Sequence, residues 1–299
     1  MNSPSRRQFL AQTIGLGTAA AFSGPLGETL AAAGDQPKGR FQVGLCTYLW
    51  GKDWDLPTLV ANCQKCKILG VELRTQHKHG VEPNLNVRQR REVKRRFADS
   101  PVRLVGIGCN ECFDSPDPAR LKRSIEAAKA FIQLGHDCGG SGTKVKPNDF
   151  HKGVPHARTI AQIGQSLNLL GKFAANLGQQ VRLEVHGSCC HLPVIKQIMD
   201  IADHPRVGVC WNCNSADLED GGLEANFNLV KNRLGATCHV RELNLGDYPY
   251  QRLFDLLVKA DFAGWMLLEC RTHPKDLVGA LAEQRGCFER MLAKSLARP

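Results

Sequence analysis

Residues 181–187 read VRLEVHG, an apolar β-type run that ends in a carboxylate, an imidazole and a glycine. A second apolar run, GWMLLE at residues 264–269, also ends in a glutamate. Charge is costly along a buried parallel strand but useful at its C-terminal end, where barrels of alternating strands and helices place their sites. The two runs therefore predict strands of one barrel whose ends contribute to a shared site.

Strand-like and helix-like segments alternate along the rest of the chain. The predicted strands are 41–49, 71–74, 102–109, 142–145, 181–185, 207–211, 237–243 and 264–268. The predicted helices are 56–69, 87–97, 118–134, 159–177, 192–202, 223–234, 250–259 and 277–296. This alternation indicates crossover units and a parallel sheet, and eight units predict an α/β protein with a single-domain (β/α)8 TIM barrel over residues 38–299. A doubly wound open sheet is the alternative, although the G-x-G-x-x-G fingerprint is absent after the first strand.

The N-terminus has the pattern of an export signal. Arg6 and Arg7 precede a weakly apolar stretch rich in glycine and alanine, which closes with small residues at 31–33. We interpret residues 1–33 as a twin-arginine (Tat) signal peptide, which implies the Tat translocase as a partner and a periplasmic location. An amphipathic N-terminus or a membrane anchor is the alternative. No later stretch has the ~18 unbroken apolar residues of a membrane span, so none is expected in the mature chain.

The chain is basic, with a formal net charge of +10. Its densest cationic segment, residues 88–96, is interleaved at helical spacing with Val87, Val93 and Phe97. That spacing is typical of an amphipathic helix with a solvated cationic face. Without exposed aromatic residues or a recognition motif, we expect no nucleic-acid partner, and an acidic sugar or polymer suits such a face equally well.

Thirteen cysteines are present, an odd number that argues against a complete disulfide framework. Folding before Tat export argues in the same direction. Three C-x-x-C pairs, at 63/66, 109/112 and 210/213, could bind zinc or form redox pairs. Most cysteines instead fall within predicted helices or apolar runs, which favours small buried side chains. Cys189 and Cys190 follow the strand that carries Glu184 and could face a pocket.

Polar side chains end nearly every predicted strand. In chain order they are Glu72, Arg74, His77, His79, Asn110, Glu111, Lys144, Lys146, Glu184, His186, Asn212, Asn214, His239, Arg241, Glu269 and Arg271. Solvation of a rim does not require so many ionisable groups. The sequence therefore predicts a functional site at the C-terminal end of the barrel.

On these motifs the chain resembles the xylose isomerase-like TIM barrel superfamily of sugar phosphate isomerases and epimerases. The resemblance implies a divalent metal, Mn2+, Mg2+ or Zn2+, held by Glu184, Asn212, His239 and Glu269 from strands five to eight. Asn212 departs from the family, which has an aspartate at this position. With two charges and two neutral donors, the set is adequate for a divalent ion but weaker for hard cations than three carboxylates.

Such a site suits proton transfer next to a carbonyl. The predicted catalytic residues are Glu184 and Glu269, one as general base and the other as general acid, with Lys144 stabilising an oxyanion. Returning the proton to the same carbon gives epimerisation, and returning it to the neighbouring carbon gives isomerisation. If that neighbouring carbon carries a leaving group, the same intermediate eliminates it, so a lyase acting on oxidised glycosides is an alternative enzyme.

The remaining strand-end groups are predicted to contact a small carbohydrate substrate. These substrate-binding candidates are Arg74, His77, His79, Lys146, His186, Asn214 and Arg241. His77 and His79 have an H-x-H spacing that could also indicate a second metal, and indoles at 50, 54 and 211 could stack on a sugar.

Two further functions remain open from the residues. An endonuclease-IV-type nuclease needs a zinc cluster held by His, Asp and Glu from nearly all strands, whereas the sixth strand here offers Asn212 and Asn214. A non-catalytic carbohydrate-binding barrel with a degenerate metal site is consistent with Asn212. It predicts sugar binding that a chelator does not change.

Overall fold

Eight parallel strands close into a barrel in the computed structural model, which describes residues 40–298. Each strand is followed by a helix, and the strands pair in chain order from β1 to β8, with β8 beside β1. The predicted (β/α)8 TIM barrel is confirmed. The proposed signal peptide, residues 1–33, lies outside the described residues. Among the described helices, none has the length and apolarity of a membrane span.

The elements lie close to where the alternating pattern predicts them. The strands are β1 Gln42–Cys46, β2 Gly70–Arg74, β3 Arg103–Cys112, β4 Gly142–Lys146, β5 Gln180–Glu184, β6 Val207–Asn212, β7 Leu234–Val240 and β8 Trp265–Leu268. The helices are α1 Leu56–Cys66, α2 Val87–Ala98, α3 Pro118–Asp137, α4 His156–Ala175, α5 Leu192–Ile201, α6 Gly222–Val230, α7 Tyr250–Lys259 and α8 Leu277–Leu296. β7 begins three residues before the predicted 237, because Gly235 and Ala236 pair with the sheet without the β-branched signature of a strand.

Local sequence explains where several helices begin. Asp55 caps α1 by accepting a hydrogen bond from the Thr58 amide at 2.9 Å. Asn86 and Gln89 form a reciprocal capping box at the start of α2. These caps satisfy amide groups that have no partner inside the helix. They place each helix directly after the loop that leaves the C-terminal end of the preceding strand.

Apolar side chains fill two separate regions. The larger cluster lies between the barrel and its helices, and a small one, formed by Cys46, Val105, Trp265 and Leu267, lies inside the barrel. Trp265 and Leu267 alternate along β8, and Glu269 directly after the strand continues the same period. The three side chains therefore face the same side. The lower part of the barrel is therefore apolar beneath a polar upper layer.

A fully buried arginine completes the lower layer. Arg182 donates to the Val105 carbonyl at 3.1 Å, to the Ser141 hydroxyl at 2.7 Å and to Gln180 Oε1 at 3.0 Å. A Cβ atom on Gly142 would lie 2.8 Å from the Arg182 guanidinium carbon and 2.5 Å from the Gln180 carbonyl oxygen. Glycine at 142 therefore leaves the space that the guanidinium occupies.

We expect Gly142→Ala to lower the free energy of unfolding by about 1–3 kcal/mol, since the added methyl group must displace backbone or the guanidinium. The matched control is Gly286→Ala inside α8, where the nearest atom to the new Cβ is the flexible end of Arg290 at 3.3 Å. This substitution should instead stabilise the fold by about 0.5–1 kcal/mol. Urea unfolding measures both, and equal effects of the two substitutions would contradict the packing argument.

Candidate active site

A buried imidazole lies between three carboxylates at the upper end of the barrel. His239 Nε2 is 3.1 Å from Glu72 Oε1, whereas Nδ1 is 3.4 Å from Glu184 Oε1 and 3.9 Å from Glu269 Oε2. These side chains come from β2, β5, β7 and the residue after β8. Only the closed barrel brings such distant parts of the chain together.

Each carboxylate of this cluster has a neighbouring cation. Lys144 Nζ lies 2.7 Å from Glu184 Oε2, and both side chains are buried. Arg74 Nη1 lies 3.4 Å from Glu269 Oε1. Burial would raise the pKa of Glu72, but His239 at 3.1 Å, followed by Lys144 and Arg182, holds this pKa below its usual value. The cluster is consequently close to charge balance without any added ion.

The buried charged groups stabilise one another's ionised forms. Burial alone would raise the pKa of Glu184, but Lys144 and then His239 hold this pKa well below its usual range. Burial would lower the pKa of Lys144, but Glu184 raises it above its usual value. Burial would likewise lower the pKa of His239, but Cys210, Cys46 and Glu72 raise it well above the ordinary value. Glu184 is therefore a carboxylate and Lys144 an ammonium ion at neutral pH.

Asn212 also reaches the cluster, as its predicted role as a metal ligand requires. Its amide nitrogen donates to Glu184 Oε1 at 3.1 Å and to the Val185 carbonyl at 3.3 Å. Asn214 instead donates to the carbonyls of Val185 and Asn212, at 3.0 and 2.6 Å. The side chain of Asn214 therefore braces the ends of β5 and β6 against each other.

The donor atoms around His239 fit a divalent ion. Glu184 Oε1 and Glu269 Oε2 lie 3.4 and 3.9 Å from Nδ1, separations close to those of ligands each about 2.0–2.2 Å from one zinc ion. Within the described residues, Cys46, His239 and Glu269 form a group whose donor atoms all lie within 4.8 Å of one another. The structure thus contains a possible metal site, to which β1 contributes a thiol.

Two cations share one amide oxygen at the rim. Lys146 Nζ and Arg74 Nη2 lie 3.2 and 3.1 Å from Asn110 Oδ1, and the Arg74 guanidinium lies 4.8 Å from the Tyr48 ring centre. Burial lowers the pKa of Lys146, and the neighbouring Lys144 ammonium lowers it further. Arg74 and Lys146, both predicted to bind substrate, therefore lie beside each other at the mouth of the barrel.

His186 lies on the loop after β5. Its Nδ1 is 3.1 Å from Asn148 Oδ1, so it joins the loops that follow β4 and β5. The backbone of Gly187 packs tightly against Asn148, since a Cβ at this position would lie 2.1 Å from the Asn148 carbonyl oxygen. The glycine of VRLEVHG thus permits the close approach of these two loops.

The two histidines after β2 differ in their surroundings. His79 contacts the Arg74 carbonyl at 2.8 Å with Nε2 and accepts from the Val81 amide at 3.0 Å with Nδ1, so both ring nitrogens bind backbone. His77 Nδ1 lies 3.3 Å from the Thr47 hydroxyl, and burial, followed by His79 and Arg74, lowers the pKa of His77 to about 4. His79 stabilises the turn after β2, whereas His77 keeps one ring nitrogen that no described hydrogen bond uses.

A buried acid supports the other side of the mouth. Asp217 accepts from the Tyr248 hydroxyl at 2.7 Å and from the backbone N–H of Asn214 at 3.0 Å. Burial raises the pKa of Asp217 to about 7, although these hydrogen bonds and Arg241 act in the opposite direction. Arg241, a predicted substrate contact, has a buried Nε without a hydrogen-bond partner among the described residues.

The indoles at positions 50 and 211 are structural groups. Trp211 is fully buried and donates to the Tyr248 hydroxyl at 3.3 Å, and the buried Trp50 donates to the Thr272 carbonyl at 2.9 Å. Trp50 therefore joins the loop after β1 to the loop after β8. Neither ring face is exposed enough to stack on a sugar as the sequence suggests.

Sequence reasoning assigns no role to two members of the cluster. Glu72 is one of the strand-end residues and lies two positions before Arg74. Side chains two positions apart on a strand face the same side, so this spacing indicates that both point inward. Cys46 ends the apolar run of β1 and looks like one more buried cysteine. Its neighbours Glu72 and Glu269 are on β2 and beyond β8, and only barrel closure places β1 between them.

Two cavities in the described part of the chain lie away from the cluster. One of about 320 Å3 opens at the opposite end of the barrel beside Gly235, Ala236 and Gly264. Another of about 430 Å3 lies beside α2, against Val81 and Leu85. Neither is lined by the carboxylates or by His239. The chemistry-bearing groups are instead packed against one another.

We expect Lys144→Met to lower the free energy of unfolding by about 3–5 kcal/mol, because Glu184 would remain as a buried charge without its ammonium partner. The double variant Lys144→Met/Glu184→Gln should recover part of this loss, since it removes both charges. Urea unfolding of the two single variants and the double variant measures the coupling.

The control for this cycle is Lys196→Met, because Lys196 pairs with Asp200 at 2.7 Å on the exposed surface of α5. It should change stability by less than about 1 kcal/mol. Additive effects of the Lys144 and Glu184 substitutions would show that the buried pair does not act as a unit.

Solved structures share this fold at low sequence identity. The chain matches the apo 3-keto-D-glucoside 4-epimerase YcjR from E. coli with a TM-score of 0.71 and 14% identity, covering 84% of this chain and 100% of that one. It matches a D-allulose 3-epimerase from Methylomonas sp. with a TM-score of 0.70 and 17% identity, covering 86% and 99%. It matches an IolI protein with a bound zinc atom with a TM-score of 0.72 and 12% identity, covering 86% and 100%.

The family comparison covers most of the barrel. A comparison with curated proteins finds no match. The family model described as xylose isomerase-like TIM barrel matches residues 60–291, from α1 into α8. This span includes every cluster residue except Cys46, and the chain belongs to the xylose isomerase-like TIM barrel family.

Proposed function

We propose that this protein is a sugar isomerase or epimerase that moves a proton at the carbon next to a carbonyl, with a divalent metal at the His239 cluster. The observation that carries the proposal is the placement of Glu184 and Glu269 beside the same nitrogen of His239, at 3.4 and 3.9 Å. Structural neighbours named as epimerases of a keto-glucoside and of allulose support the same class of chemistry.

The residues of this chain supply binding groups and proton carriers. Glu184, Asn212, His239 and Glu269 would hold the ion, which when bound polarises a substrate carbonyl and its adjacent hydroxyl. Lys144 keeps Glu184 ionised and therefore able to accept a proton. Its ammonium group also favours negative charge developing on a nearby substrate oxygen.

Glu269 would be the second proton carrier. Its side chain is more exposed than that of Glu184, and Arg74 Nη1 lies 3.4 Å from its Oε1. One glutamate removes the proton as general base and the other returns it as general acid. Return to the same carbon from the opposite face gives an epimer, and return to the neighbouring carbon gives an isomer.

Substrate hydroxyl groups would meet the ring of polar side chains at the rim. Arg74 and Lys146 end β2 and β4, and His186 lies just after β5, at the same end of the barrel as Glu184 and Glu269. His77, Asn214 and Arg241 are further predicted substrate contacts, whereas His79, the last of the predicted set, binds backbone with both ring nitrogens. These groups favour a small polyhydroxylated ligand over a large apolar one.

A second candidate function is elimination from an oxidised glycoside. The neighbour whose name specifies a keto-glucoside motivates it, because a keto sugar loses its proton readily and then expels a leaving group from the next carbon. The same glutamates would serve in both reactions. A carbohydrate-binding barrel without catalysis is the remaining alternative, since Asn212 brings no charge to the site.

The test is exchange of a substrate C–H proton in deuterated water, with a ketose and a 3-keto-glucoside as substrates. Glu184→Gln and Glu269→Gln should each lower the exchange rate by about 10²–10⁴-fold, because each removes one proton carrier. Removing metal with EDTA should abolish exchange, and returning the ion should restore it. NMR measures both the exchange and the product.

The matched control is Glu126→Gln on the exposed face of α3, which should leave the rate unchanged. Sugar binding without exchange would favour the non-catalytic barrel. Release of the aglycone would identify the lyase instead. Exchange that survives both active-site substitutions would contradict the assignment of these glutamates.

We also propose that residues 1–33 direct export through the Tat translocase to the periplasm, on the basis of Arg6 and Arg7 and the small residues at 31–33. Replacing both arginines by lysine should retain the protein in the cytoplasm, because the translocase recognises the arginine pair. Cell fractionation measures this, with Lys38→Arg as the control. Continued export of the double variant would contradict a Tat route.

A further inference from the structure

The predicted metal ligands are nearly neutralised by their own neighbours. Glu184 and Glu269 carry the two negative charges of the set, whereas Asn212 adds none and His239 adds none when its ring binds a metal as a neutral ligand. Lys144 lies 2.7 Å from the first carboxylate and Arg74 lies 3.4 Å from the second. In this low-dielectric setting a divalent cation would meet little net attraction. An additional anionic ligand would restore the net attraction between the ligand set and a divalent cation.

A group able to carry that charge lies on β1. Cys46 is fully buried, and its sulfur lies within 4.8 Å of both a ring nitrogen of His239 and a carboxylate oxygen of Glu269. The sheet register explains this position, because Cys46 pairs with Glu72 on β2 while Leu45 pairs with Leu268 on β8. Cys46 is therefore held between the strands that carry two of the cluster carboxylates.

Glu72 leaves one ring nitrogen of the imidazole available. Its Oε1 lies 3.1 Å from His239 Nε2, so it accepts the proton on that nitrogen when the ring is neutral. Nδ1 then directs its lone pair toward Glu184 and Glu269. A carboxylate behind the imidazole is a common way in which proteins orient a metal-binding histidine.

We propose that Cys46 binds the metal as a thiolate together with His239 and Glu269, and that the site consequently selects zinc over magnesium or manganese. The proposal rests on the proposed metal site but assigns it a ligand and a preferred ion. Binding forms a sulfur–zinc bond and releases the thiol proton to solvent, without change of oxidation state. Thiolate is a soft ligand that favours zinc, whereas the oxygen donors alone suit harder ions.

Cobalt provides a direct probe, since Co2+ occupies zinc sites and absorbs in the near ultraviolet when a thiolate binds it. The full chain, freed of metal by a chelator, is titrated with Co2+ under reducing conditions. We expect the sulfur-to-cobalt absorption in the wild type and its loss in Cys46→Ser. Loss of an outer hydrogen-bond partner lowers metal affinity by about 10–100-fold, and Cys46→Ser should lower the Co2+ affinity by more than this. Equimolar Zn2+ should displace Co2+, whereas Mg2+ and Mn2+ should not.

The controls are two other buried cysteines. Cys210 on β6 raises the pKa of His239, and its sulfur accepts from the Thr237 hydroxyl at 3.6 Å, whereas Cys138 lies at the end of α3. Both Cys210→Ser and Cys138→Ser should retain the absorption. Absorption that depends on Cys210 rather than Cys46 would overturn the proposal.

A measurement on the unaltered protein covers the case in which Cys46→Ser fails to fold. X-ray absorption at the zinc edge should show one sulfur at about 2.3 Å beside nitrogen and oxygen at about 2.0–2.2 Å. A shell of nitrogen and oxygen alone overturns the proposal but leaves the isomerase function intact. No stoichiometric metal overturns both the proposal and the metal-dependent mechanism. Sulfur-bound zinc without proton exchange supports the proposal and contradicts the proposed function.

Discussion

The buried pair of Lys144 and Glu184 is the interaction on which the interior of the barrel depends. A carboxylate without a partner at this depth would cost several kcal/mol, and so would an isolated ammonium group. At 2.7 Å the two groups neutralise each other where water does not reach. The same principle extends to Arg74 with Glu269 and to His239 with Glu72. The upper half of the barrel can therefore contain three carboxylates without exposing them.

This balance also constrains the backbone below it. Arg182 lies in the lower layer only because Gly142 provides room, and its donors bind Val105, Ser141 and Gln180. Above it, His239 connects Glu72 to Glu184 and Glu269. Removing any one group would leave a buried charge or polar atom unpaired. The cluster thus links strand packing to the chemistry that the site can perform.

The barrel itself follows from local signals. Alternating apolar runs and amphipathic segments predicted all eight strands and all eight helices, with ends that differ from the structure by up to four residues. Glu184, Asn212, His239, Glu269 and Lys144 were predicted from their places at strand ends, and the structure brings them into one cluster. These residues meet because parallel strands of a barrel present their C-terminal ends at one rim.

By itself, the sequence determined the fold class, the end of the barrel that carries the site and most of its charged groups, because strand period and strand-end polarity are local properties. Only the tertiary structure decided which groups meet. Barrel closure places Cys46 on β1 between Glu72 and Glu269. It likewise buries Trp50 and Trp211. Contacts between distant strands depend on register and on closure of the sheet, which no single segment of the chain encodes.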